Sequence, residues 1–575
     1  MTEENSNVIR RTGEGPPRRP LASRLFPIMV MAVAVVAVVA AVISSGTTTT
    51  ASSSGSTAPT TPAAGSLELP KGVVPWDPAK ATSINWGKRC DTKIGKLAIP
   101  IFPRQPCFGP FTGDNGGDTG TGVSRTAIKV VVYLPQPNDA VLKFIYAQIQ
   151  NDNTVDQQWQ TYQDLVAMYS KYYEMYGRKI DLVRFNATGP ISDPVAATAD
   201  AESIANDIKP FLVIGGPLLT NAFSDTLASN KVMCVSCGPG QPNDYYEQRS
   251  PYVWDLGKNA EQNQLMIAEY IGKRLAGGKA LHAGADLVGK PRVFGYVHVN
   301  ASDNDALLQQ RFTDNLQKNY GVTFADIESY KLPTDLVSSG RDLITKLKEQ
   351  GVTTVVFAGD PLAPQTLTKI ATQQQYFPEW VITGTVLVDT AAFARSYDQE
   401  QWQHAFGPSN LYARISPTKA GAAYLYNWYY GHPAPADKSI EVINPNMSFL
   451  FGPLQAAGPD LNVARFRDVL FNSPIVPSTA ITPQISFGNR GVWPRLDMTA
   501  VDDQTEVWWD AKAQGLDEIS RQGTGLWRYV NGGKRYLPGQ WPKGEPDVFD
   551  PKNSVTILDE PPDAARISAD YVPLK

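Results

Sequence analysis

Residues 291–300, PRVFGYVHVN, are the first of three short apolar runs that decide the fold, and TTVVFAGDP at 353–361 and WVITGT at 380–385 follow. Helical patterns separate the runs, with apolar residues at Leu308, Phe312 and Leu316 before Gly321, and at Leu343, Ile344 and Leu347 before Gly351. Strands that alternate with helices in this way predict right-handed βαβ crossovers and a parallel sheet. Because open parallel sheets bind ligands beyond the carboxyl ends of their strands, we expect a site near 300–303, 359–360 and 384–385.

The composition is that of a chain with material for two or three globular domains. Of its 575 residues, 42% are hydrophobic, which is enough to build real cores. The formal net charge is −4, and Lys and Arg are dispersed apart from a group near the N-terminus. No basic surface of the kind that binds nucleic acid is therefore expected.

No pattern for a catalytic or metal centre stands out. The chain has four histidines, and it contains neither a Gly-x-Ser-x-Gly elbow nor a phosphate-binding loop. The pair Asp502-Asp503 is more typical of solvated turn residues than of an acid/base pair. We therefore predict that the protein is not an enzyme, and we expect no catalytic residues, no metal site and no cofactor.

The N-terminal region predicts a single-pass membrane protein. Residues 1–24 are polar and Arg-rich, and residues 25–43 form an apolar run of 19, which nearly matches the roughly 30 Å hydrocarbon core as a helix. Arginines before the run keep the N-terminus cytoplasmic and place the bulk of the chain outside the cytoplasm. Residues 44–66, composed of Ser, Thr, Gly, Ala and Pro, form a flexible tether. The alternative is a cleaved signal peptide with a weak processing site at 42–44.

Residues 67–126 form a Pro- and Gly-rich lead-in to the folded region. Cys90 and Cys107 lie in this segment, and in an exported chain their natural interpretation is a disulfide that closes a loop with little core. The run at 114–118, Asp-Asn-Gly-Gly-Asp, has turn chemistry. Calcium binding is the alternative for this run, although it lacks the ligand spacing of a known calcium loop.

The region after the lead-in repeats the alternation of strands and helices predicted for residues 291–385. Strands are predicted at 128–134, 179–185, 211–214 and 232–236, with helical patterns between them. Cys234 and Cys237 have the spacing of a redox motif, but they close a strand instead of opening a helix. A local disulfide or a pair of buried thiols is the favoured interpretation, and redox work is the alternative.

The order of several short motifs resembles the type I periplasmic solute-binding protein family, whose nearest subgroup binds branched-chain amino acids and amides. The resemblance covers roughly residues 128–540, and the motifs that carry it are Ser192-Asp193-Pro194, Ile214-Gly215-Gly216, Ser250-Pro251-Tyr252-Val253-Trp254, Gly340-Arg341-Asp342 and Phe377-Pro378-Glu379-Trp380 before Gly384. The resemblance implies an α/β fold with two lobes, each a parallel sheet flanked by helices, joined by three crossovers. It also implies a ligand held in the cleft between the lobes, without catalysis.

The resemblance also implies the domain organisation. The first lobe comprises residues 127–254 and a return segment, 386–480. The second lobe comprises residues 255–385 and a return segment, 481–540. Residues 541–575 form an extended tail.

The candidate ligand-binding residues are those at the predicted strand ends of both lobes, namely Gln136, Thr220, Ser236, Gly238, Asp303, Asn304, Asp360 and Thr385. The family's acidic partner for an ammonium group would follow Gly384, where this chain has Thr385. Asp360 or Asp389 could take its place. The alternative for Asp360 is that it caps the helix that begins near Ala363.

Two classes of function follow from the resemblance and the N-terminal region. The first is a membrane-tethered, extracytoplasmic receptor that closes on a small polar organic ligand, such as an amino acid or amide, for uptake through a transporter permease or for sensing. The second is a cell-envelope docking protein that uses the same fold without transport. Binding to a panel of metabolites separates the two.

Overall fold

The structure, a computed structural model, describes residues 69–238, 240–300, 304–331, 336–567 and 570–575. The tail predicted at 1–24, the membrane segment predicted at 25–43 and the linker predicted at 44–66 lie outside these residues. In the described part of the chain, no helix combines the length and the hydropathy needed to cross a bilayer.

The lead-in packs on the first lobe. Its strands β1 (Cys90–Asp91) and β2 (Lys96–Leu97) form an antiparallel hairpin, preceded by a 3₁₀ turn at Pro78–Lys80. The expected disulfide between Cys90 and Cys107 is present, with a Cα–Cα distance of 5.7 Å. Trp86 and Leu97 are buried in the core of the first lobe, so the bridge fastens this segment to the domain.

The Asp/Asn/Gly run of the lead-in is an anchored turn. The Asn115 side-chain amide donates hydrogen bonds to the carbonyls of Arg125 and Tyr176 at 2.8 and 2.9 Å. The Arg178 guanidinium donates in return to the carbonyls of Asn115 and Gly117. No group of side chains suited to a metal ion occurs in the described residues, and hydrogen bonding within the protein accounts for this turn.

The first lobe is built on a five-stranded sheet with the order β4-β3-β5-β6-β7. All of its neighbouring pairs are parallel. The strands are β3 (Ala127–Leu134), β4 (Lys179–Asn186), β5 (Leu212–Ile214), β6 (Met233–Val235) and β7 (Val253–Trp254). Residues 130–132, three consecutive valines, are fully buried, as expected of a parallel strand covered on both faces.

Five helices follow these strands along the chain: α1 (Ala140–Gln148), α2 (Val155–Tyr169), α3 (Pro194–Ser203), α4 (Ala222–Ser229) and α5 (Asn243–Gln248). Helix α2 begins at a capping box formed by Thr154 and Gln157. Helix α3 begins at Asp193 with proline in its first turn and continues into a π-turn at Ile204–Ile208. Helix α1, which lies between β3 and α2, was not predicted from the sequence.

Cys234 and Cys237 form a second disulfide at the end of β6. Both residues are fully buried. A redox-active cysteine needs to be accessible to its partner, so this burial fits the interpretation as a local disulfide and not the redox alternative.

The second lobe contains a nine-stranded sheet within the described residues. Its main path has the order β17-β15-β14-β12-β11-β10-β8-β9, with β16 paired to β14. The first part of the lobe comprises α6 (Ala260–Tyr270), β8 (Phe294–Asn300), α7 (Asp305–Tyr320), β9 (Asp326–Lys331), α8 (Leu336–Glu349), β10 (Thr354–Ala358), α9 (Ala363–Gln373), β11 (Glu379–Ile382), α10 (Ala391–Ala394), α11 (Gln399–Trp402) and β12 (Ala405–Ser409). Strands β8 to β12 pair in parallel. A π-turn at Ile271–Leu275 extends α6.

Residues 291–385 fold into the strands and helices that the sequence predicted, with one additional strand. Helix α7 ends at Gly321, whose φ of +67° caps the helix in the left-handed conformation that glycine favours. The addition is β9, a strand at the edge of the sheet in which exposed residues alternate with partly or fully buried ones. Edge strands of this kind lack the apolar run by which buried strands are recognised.

The chain then returns to the first lobe and crosses once more to the second. The elements of this part are β13 (Arg414–Ile415), α12 (Ala422–Tyr430), α13 (Ile440–Ala457), α14 (Val463–Asn472), β14 (Gln504–Leu516), β15 (Gln522–Val530) and β16 (Arg535–Tyr536). Helices α12 to α14 contribute to the core of the first lobe, and β14 pairs antiparallel with β12 and β15. Three crossovers therefore join the lobes, near 255–259, 410–415 and 484–503.

The expected boundary of the return segment is wrong at its start. Residues 386–480 were assigned to the first lobe, but β12 pairs with β11 and β14 in the sheet of the second lobe. The second crossover therefore begins near Asn410 and not at 386. Residues 405–409, Ala-Phe-Gly-Pro-Ser, gave little sign of a strand because Gly and Pro are uncommon in strands.

The C-terminal tail, which was predicted to be extended, is bonded to both lobes. Strand β17 (Ser554–Val555) pairs with β15 in the second lobe, and β18 (Ile557–Leu558) pairs with β13. Near the end of the chain, the Leu574 amide donates to the Tyr172 hydroxyl of the first lobe at 3.0 Å. The tail thus passes across both lobes and ends on the first.

Candidate functional site

Two cavities occupy the cleft between the lobes. The first cavity has a volume of about 300 Å³ and the second about 380 Å³, and both sizes fall near the lower end of ordinary ligand sites. The cavities meet at four residues that line both of them, Leu218, Leu387, Leu411 and Tyr412. The cleft is therefore one site with two compartments.

The first cavity lies where the strand ends of the second lobe face loops of the first. Strands β8, β10 and β11 deliver residues to it at their carboxyl ends, and the loop after β5 contributes from the opposite side. Its polar lining residues include Thr220, Asn221, Lys258, Asn263, Tyr296, His298, Gln309 and Thr385. This placement is where a parallel sheet of this topology binds ligands.

Tyr296 and His298 form an aromatic pair in the wall of the first cavity. They occupy alternate positions on β8, so their side chains share one face, and their rings stack with centroids 4.9 Å apart. Nε2 of His298 is buried and has no hydrogen-bond partner among the described residues. Burial lowers the pKa of His298, and the Val299 carbonyl, the Asp305 carboxylate and the Gln309 side chain oppose this effect in decreasing order. The lowered pKa favours the neutral imidazole, whose ring lines the first cavity.

A buried polar network links the three crossovers beside the first cavity. Lys258 donates to Asn410 Oδ1 at 3.1 Å and to the Asp503 carbonyl, and Arg535 Nε donates to Asp503 Oδ1 at 2.8 Å. Burial lowers the pKa of Lys258 to about 7. Asp502 and Asp503 are both fully buried, so the expectation of solvated turn residues is wrong. The network joins residues of all three crossovers.

Asp389 lies on the first cavity but is bonded within the protein. The Ser409 hydroxyl donates to Asp389 Oδ2 at 2.5 Å. Burial raises the pKa of Asp389 to about 6, and the hydrogen bond from Ser409 opposes that rise. One oxygen of the Asp389 carboxylate thus already accepts a hydrogen bond from the protein. Asp389 is therefore a weak candidate for the acidic partner of a ligand's ammonium group.

The second cavity has a mostly apolar wall, to which α1 contributes one side. Leu142, Ile145 and Ile149 lie on one face of this helix and line the cavity, and Phe393 and Ile443 line it elsewhere. These three α1 residues belong to the same apolar cluster as the core of the second lobe. Helix α1 therefore connects the two lobes through an apolar contact.

Asp139 fixes the position of α1. Its Oδ1 accepts hydrogen bonds from the amides of Val141 and Leu142 at 2.9 Å each, as an N-cap. Its Oδ2 accepts from the amide of Ile191 at 2.9 Å. Asp139 thus binds the start of the helix to the loop before α3.

Arg414 is the cation in the wall of the second cavity with the fewest partners. Its Nε lies 3.6 Å from Glu518 Oε1, and its side chain is 15% exposed. No hydrogen bond from its guanidinium to the protein is found in the described residues, although the group carries five N–H donors. Donors are therefore left over on this side chain, beside an apolar space.

Three of the eight expected site residues line the cleft. Thr220 and Thr385 line the first cavity, and Ser236 lines the second. Thr385 donates to the Gly359 carbonyl at 3.1 Å, and Ser236 donates to Asn446 Oδ1 at 3.2 Å. Their hydroxyl oxygens remain able to accept a hydrogen bond.

The other expected residues do not line either cavity, or lie outside the described part. Gln136 donates its side-chain amide to the Thr188 carbonyl, Gly238 accepts from the Tyr246 hydroxyl inside the first lobe, and Asn304 precedes α7. Asp303 lies outside the described residues.

Asp360 is a helix cap and not a cleft residue. It is fully buried, and its Oδ1 accepts from the amides of Leu362 and Ala363 at 2.8 and 3.1 Å. Its Oδ2 accepts from the Tyr330 hydroxyl at 2.7 Å. Burial raises its pKa, and these hydrogen bonds oppose the rise. The prediction of ligand contact by Asp360 is therefore wrong, and the capping alternative is the one that the geometry supports.

Tyr296, His298, Arg414 and the apolar face of α1 were not among the features predicted to line the cleft. Tyr296 and His298 lie inside the run 291–300, which was predicted only as a strand. Helix α1 did leave a signal, because Val141, Leu142, Ile145 and Ile149 have helical spacing. Arg414 left none, since a single arginine in a crossover has no pattern.

No protein-family model and no curated protein matches the sequence. Solved structures that it is similar to include a fatty acid ABC transporter substrate-binding protein from Thermomonospora curvata, with 14% identity over 79% of this chain and 97% of that chain and a TM-score of 0.45. The branched-chain amino acid binding protein LivJ from Streptococcus pneumoniae has 12% identity over 70% and 100%, with a TM-score of 0.45. A type 1 periplasmic binding protein from Bordetella pertussis has 12% identity over 69% and 100%, with a TM-score of 0.47.

These similarities are distant in both sequence and structure. The description of two α/β lobes and a cleft therefore depends on the strand pairing and contacts of this chain alone.

Proposed function

We propose that this protein is an extracytoplasmic solute-binding receptor whose two lobes close on a small organic ligand. The observation that carries the proposal is the position of the two cavities between the facing strand ends of both lobes. Ligands of open parallel sheets bind at such ends. A site lined by two bodies joined at a hinge is one whose affinity depends on closure.

The contacts around the cleft support a hinge. Residues of three crossovers meet in the network of Lys258, Asn410 and Asp503. At the edge of the first cavity, Arg311 on α7 of the second lobe pairs with Asp244 on α5 of the first lobe at 3.2 Å. A half-exposed ion pair of this kind contributes little to stability, so it can open and close without a large cost.

The location and partners belong to the same proposal. Residues 25–43 would hold the protein in a membrane, with its N-terminus in the cytoplasm, and residues 44–66 would let the lobes reach a partner. A transporter permease is the partner for uptake, and a sensing system is the alternative partner. An amino acid or amide is one class of ligand to be tested.

Thermal unfolding with a panel of metabolites tests the proposal. A solute that binds only the folded protein raises its melting temperature, and calorimetry then gives the affinity. For a positive compound bound in the first cavity, His298→Gln should weaken binding roughly threefold to tenfold through one lost hydrogen bond. His432→Gln is the matched control because His432 is exposed and lines neither cavity.

A receptor that failed to respond to any compound, after removal of co-purified solutes, would contradict the proposal. That result would favour the docking protein, which needs no small ligand. An affinity equally lowered by both histidine variants would instead show that the compound does not bind where we place it.

A further inference from the structure

The second cavity is shaped for an apolar group. Its wall is mostly aliphatic and aromatic, with Leu142, Ile145, Phe393 and Ile443 among the lining residues. Each of these four is buried among other residues and still borders open space. Protein interiors rarely leave apolar space of this size unfilled. At about 30 Å³ for each water-sized group, about 380 Å³ holds about a dozen non-hydrogen atoms.

The charged groups of this wall are satisfied within the protein, with the exception of Arg414. Glu518 accepts from the Ala392 amide at 2.9 Å, and Asp517 accepts from Arg395 and Arg521 at 3.2 and 2.8 Å. These contacts leave Arg414 with a single ion pair at 3.6 Å.

The remaining acidic and basic groups of the wall are also occupied. Glu441 accepts from the Ala423 amide at 3.1 Å. Lys438 pairs with Asp152 at 2.7 Å, and Asp437 accepts from Asn153 at 3.0 Å. Asp255 accepts from the Tyr246 hydroxyl and the Gly257 amide. Each of these groups has at least one hydrogen bond within the protein, whereas the Arg414 guanidinium donates none among the described residues.

We infer that the second cavity binds an amphipathic organic anion, with its apolar body against α1 and its anionic group on Arg414. The inference rests on the proposed receptor function and names the class of its ligand. A planar guanidinium can bind a carboxylate through two parallel hydrogen bonds. The mostly apolar wall disfavours small polar solutes, because they would lose water without replacing all of its hydrogen bonds.

The ligand class differs from the polar amino acid or amide expected from the sequence. That expectation used only the strand ends, which line the first cavity. The second cavity owes its apolar wall largely to α1, an element absent from that expectation.

Straight-chain alkanoates from butanoate to tetradecanoate, below their micelle-forming concentrations, test the inference on the full chain. Calorimetry should show that each added methylene tightens binding about fourfold until the cavity is full. Alkylamines of the same lengths should bind far more weakly, because Arg414 repels a cation. Alkanols should lie between the two series.

Two variants locate the bound chain. Arg414→Gln should weaken alkanoate binding roughly tenfold to a hundredfold, and Ile145→Trp should abolish the gain from added methylenes by filling the cavity. The matched controls are Arg467→Gln, whose guanidinium pairs with Asp468, and Ile327→Trp at an exposed position of β9. Both controls should bind as the unchanged protein does, and melting temperatures without ligand establish that all four fold.

The outcomes separate this inference from the function on which it rests. If another solute binds in the cleft while alkanoates do not, the receptor function stands and the inference is overturned. The inference is also overturned if the affinity for alkanoates is the same in Arg414→Gln, in Ile145→Trp and in the unchanged protein. If neither alkanoates nor any compound of the panel binds, the proposed function fails together with it.

Discussion

The two cavities of the cleft differ in what builds them. Strand ends and adjacent loops build the first cavity, so its position follows from sheet topology and its lining is rich in hydrogen-bonding groups such as His298 and Thr385. Helix α1 and its apolar surroundings build much of the second cavity. Sheet topology therefore determines where the cleft lies, while α1, the helix between β3 and α2, determines how apolar the second cavity is.

The difference has a physical origin in the two kinds of element. Parallel strands end in loops whose backbone groups and short polar side chains need hydrogen-bond partners. An amphipathic helix brings an apolar face that must be covered. In this chain that face is covered in part by the second lobe, and in part it borders the second cavity.

The largest effect is expected from replacing Asp360, a polar residue that follows Gly359 but does not line the first cavity. Asp360→Ala deletes a helix cap and the buried partner of Tyr330, so we expect a loss of about 3–5 kcal/mol in the free energy of unfolding. The affinity of the folded protein for its ligand should stay unchanged. Chemical denaturation and calorimetry measure the two quantities, and a loss of affinity without a loss of stability would return Asp360 to the site.

A pH effect follows from Asp389, which lies on the first cavity. Burial raises its pKa above the ordinary range of an aspartate, to about 6, so the folded state binds more protons than the unfolded state between about pH 4 and about pH 6. Stability should therefore fall as pH rises from about 4 to about 6, with a contribution of about 3 kcal/mol at most from this group.

Denaturation across this pH range in Asp389→Asn and in the unchanged protein measures the contribution. The variant should lose this part of the slope. Identical slopes in the two proteins would show that Asp389 titrates normally.

A smaller effect, confined to the second cavity, is expected from the cap of α1. Asp139→Ala should cost about 1–2 kcal/mol in stability and should weaken alkanoate binding by loosening the apolar wall. Asn462→Ala is the matched control, because Asn462 caps α14 by accepting from Arg465 at 3.0 Å and lines neither cavity. Equal effects of both variants on binding would remove the special role of α1.

The smallest effect is expected at the outer edge of the first cavity. Arg311→Met removes the ion pairs with Asp244 across the lobes and with Glu261 inside the second lobe, and it should cost less than about 1 kcal/mol of binding free energy, with a dependence on salt. Lys346→Met, which removes a pair with Glu328 inside the second lobe, should leave binding unchanged. A salt dependence that is the same in both variants would contradict a role for the Arg311 pair in closure.

The sequence was sufficient for the features that depend on local pattern. Buried parallel strands are continuous apolar runs, so β8, β10 and β11 could be placed, and with them the end of the cleft that holds Thr385. The helix end at Gly321 and the Cys90–Cys107 disulfide also depend on short-range chemistry, and both could be predicted.

The rest depended on tertiary contacts that a single sequence does not contain. Whether Asp360 faced a ligand or capped α9 depended on how the side chain turned, and both choices suit an aspartate after a strand. The polar edge strand β9 carried no apolar run. Arg414 could be recognised only from the fold, which places it beside a mostly apolar cavity. Among the described residues, its guanidinium donates no hydrogen bond to the protein.

The most direct test of the account is the distance between the lobes with and without ligand. All four cysteines are in disulfides, so spin labels can be placed at Ser229→Cys on the first lobe and Lys318→Cys on the second, both exposed positions. Pulsed electron resonance should give a broad distance distribution for the ligand-free protein. Saturation with the compound that gives the largest thermal shift should narrow and shorten that distribution, because the ligand favours the closed state. A distribution that is identical with and without a tightly bound compound would contradict closure of the two lobes on a ligand.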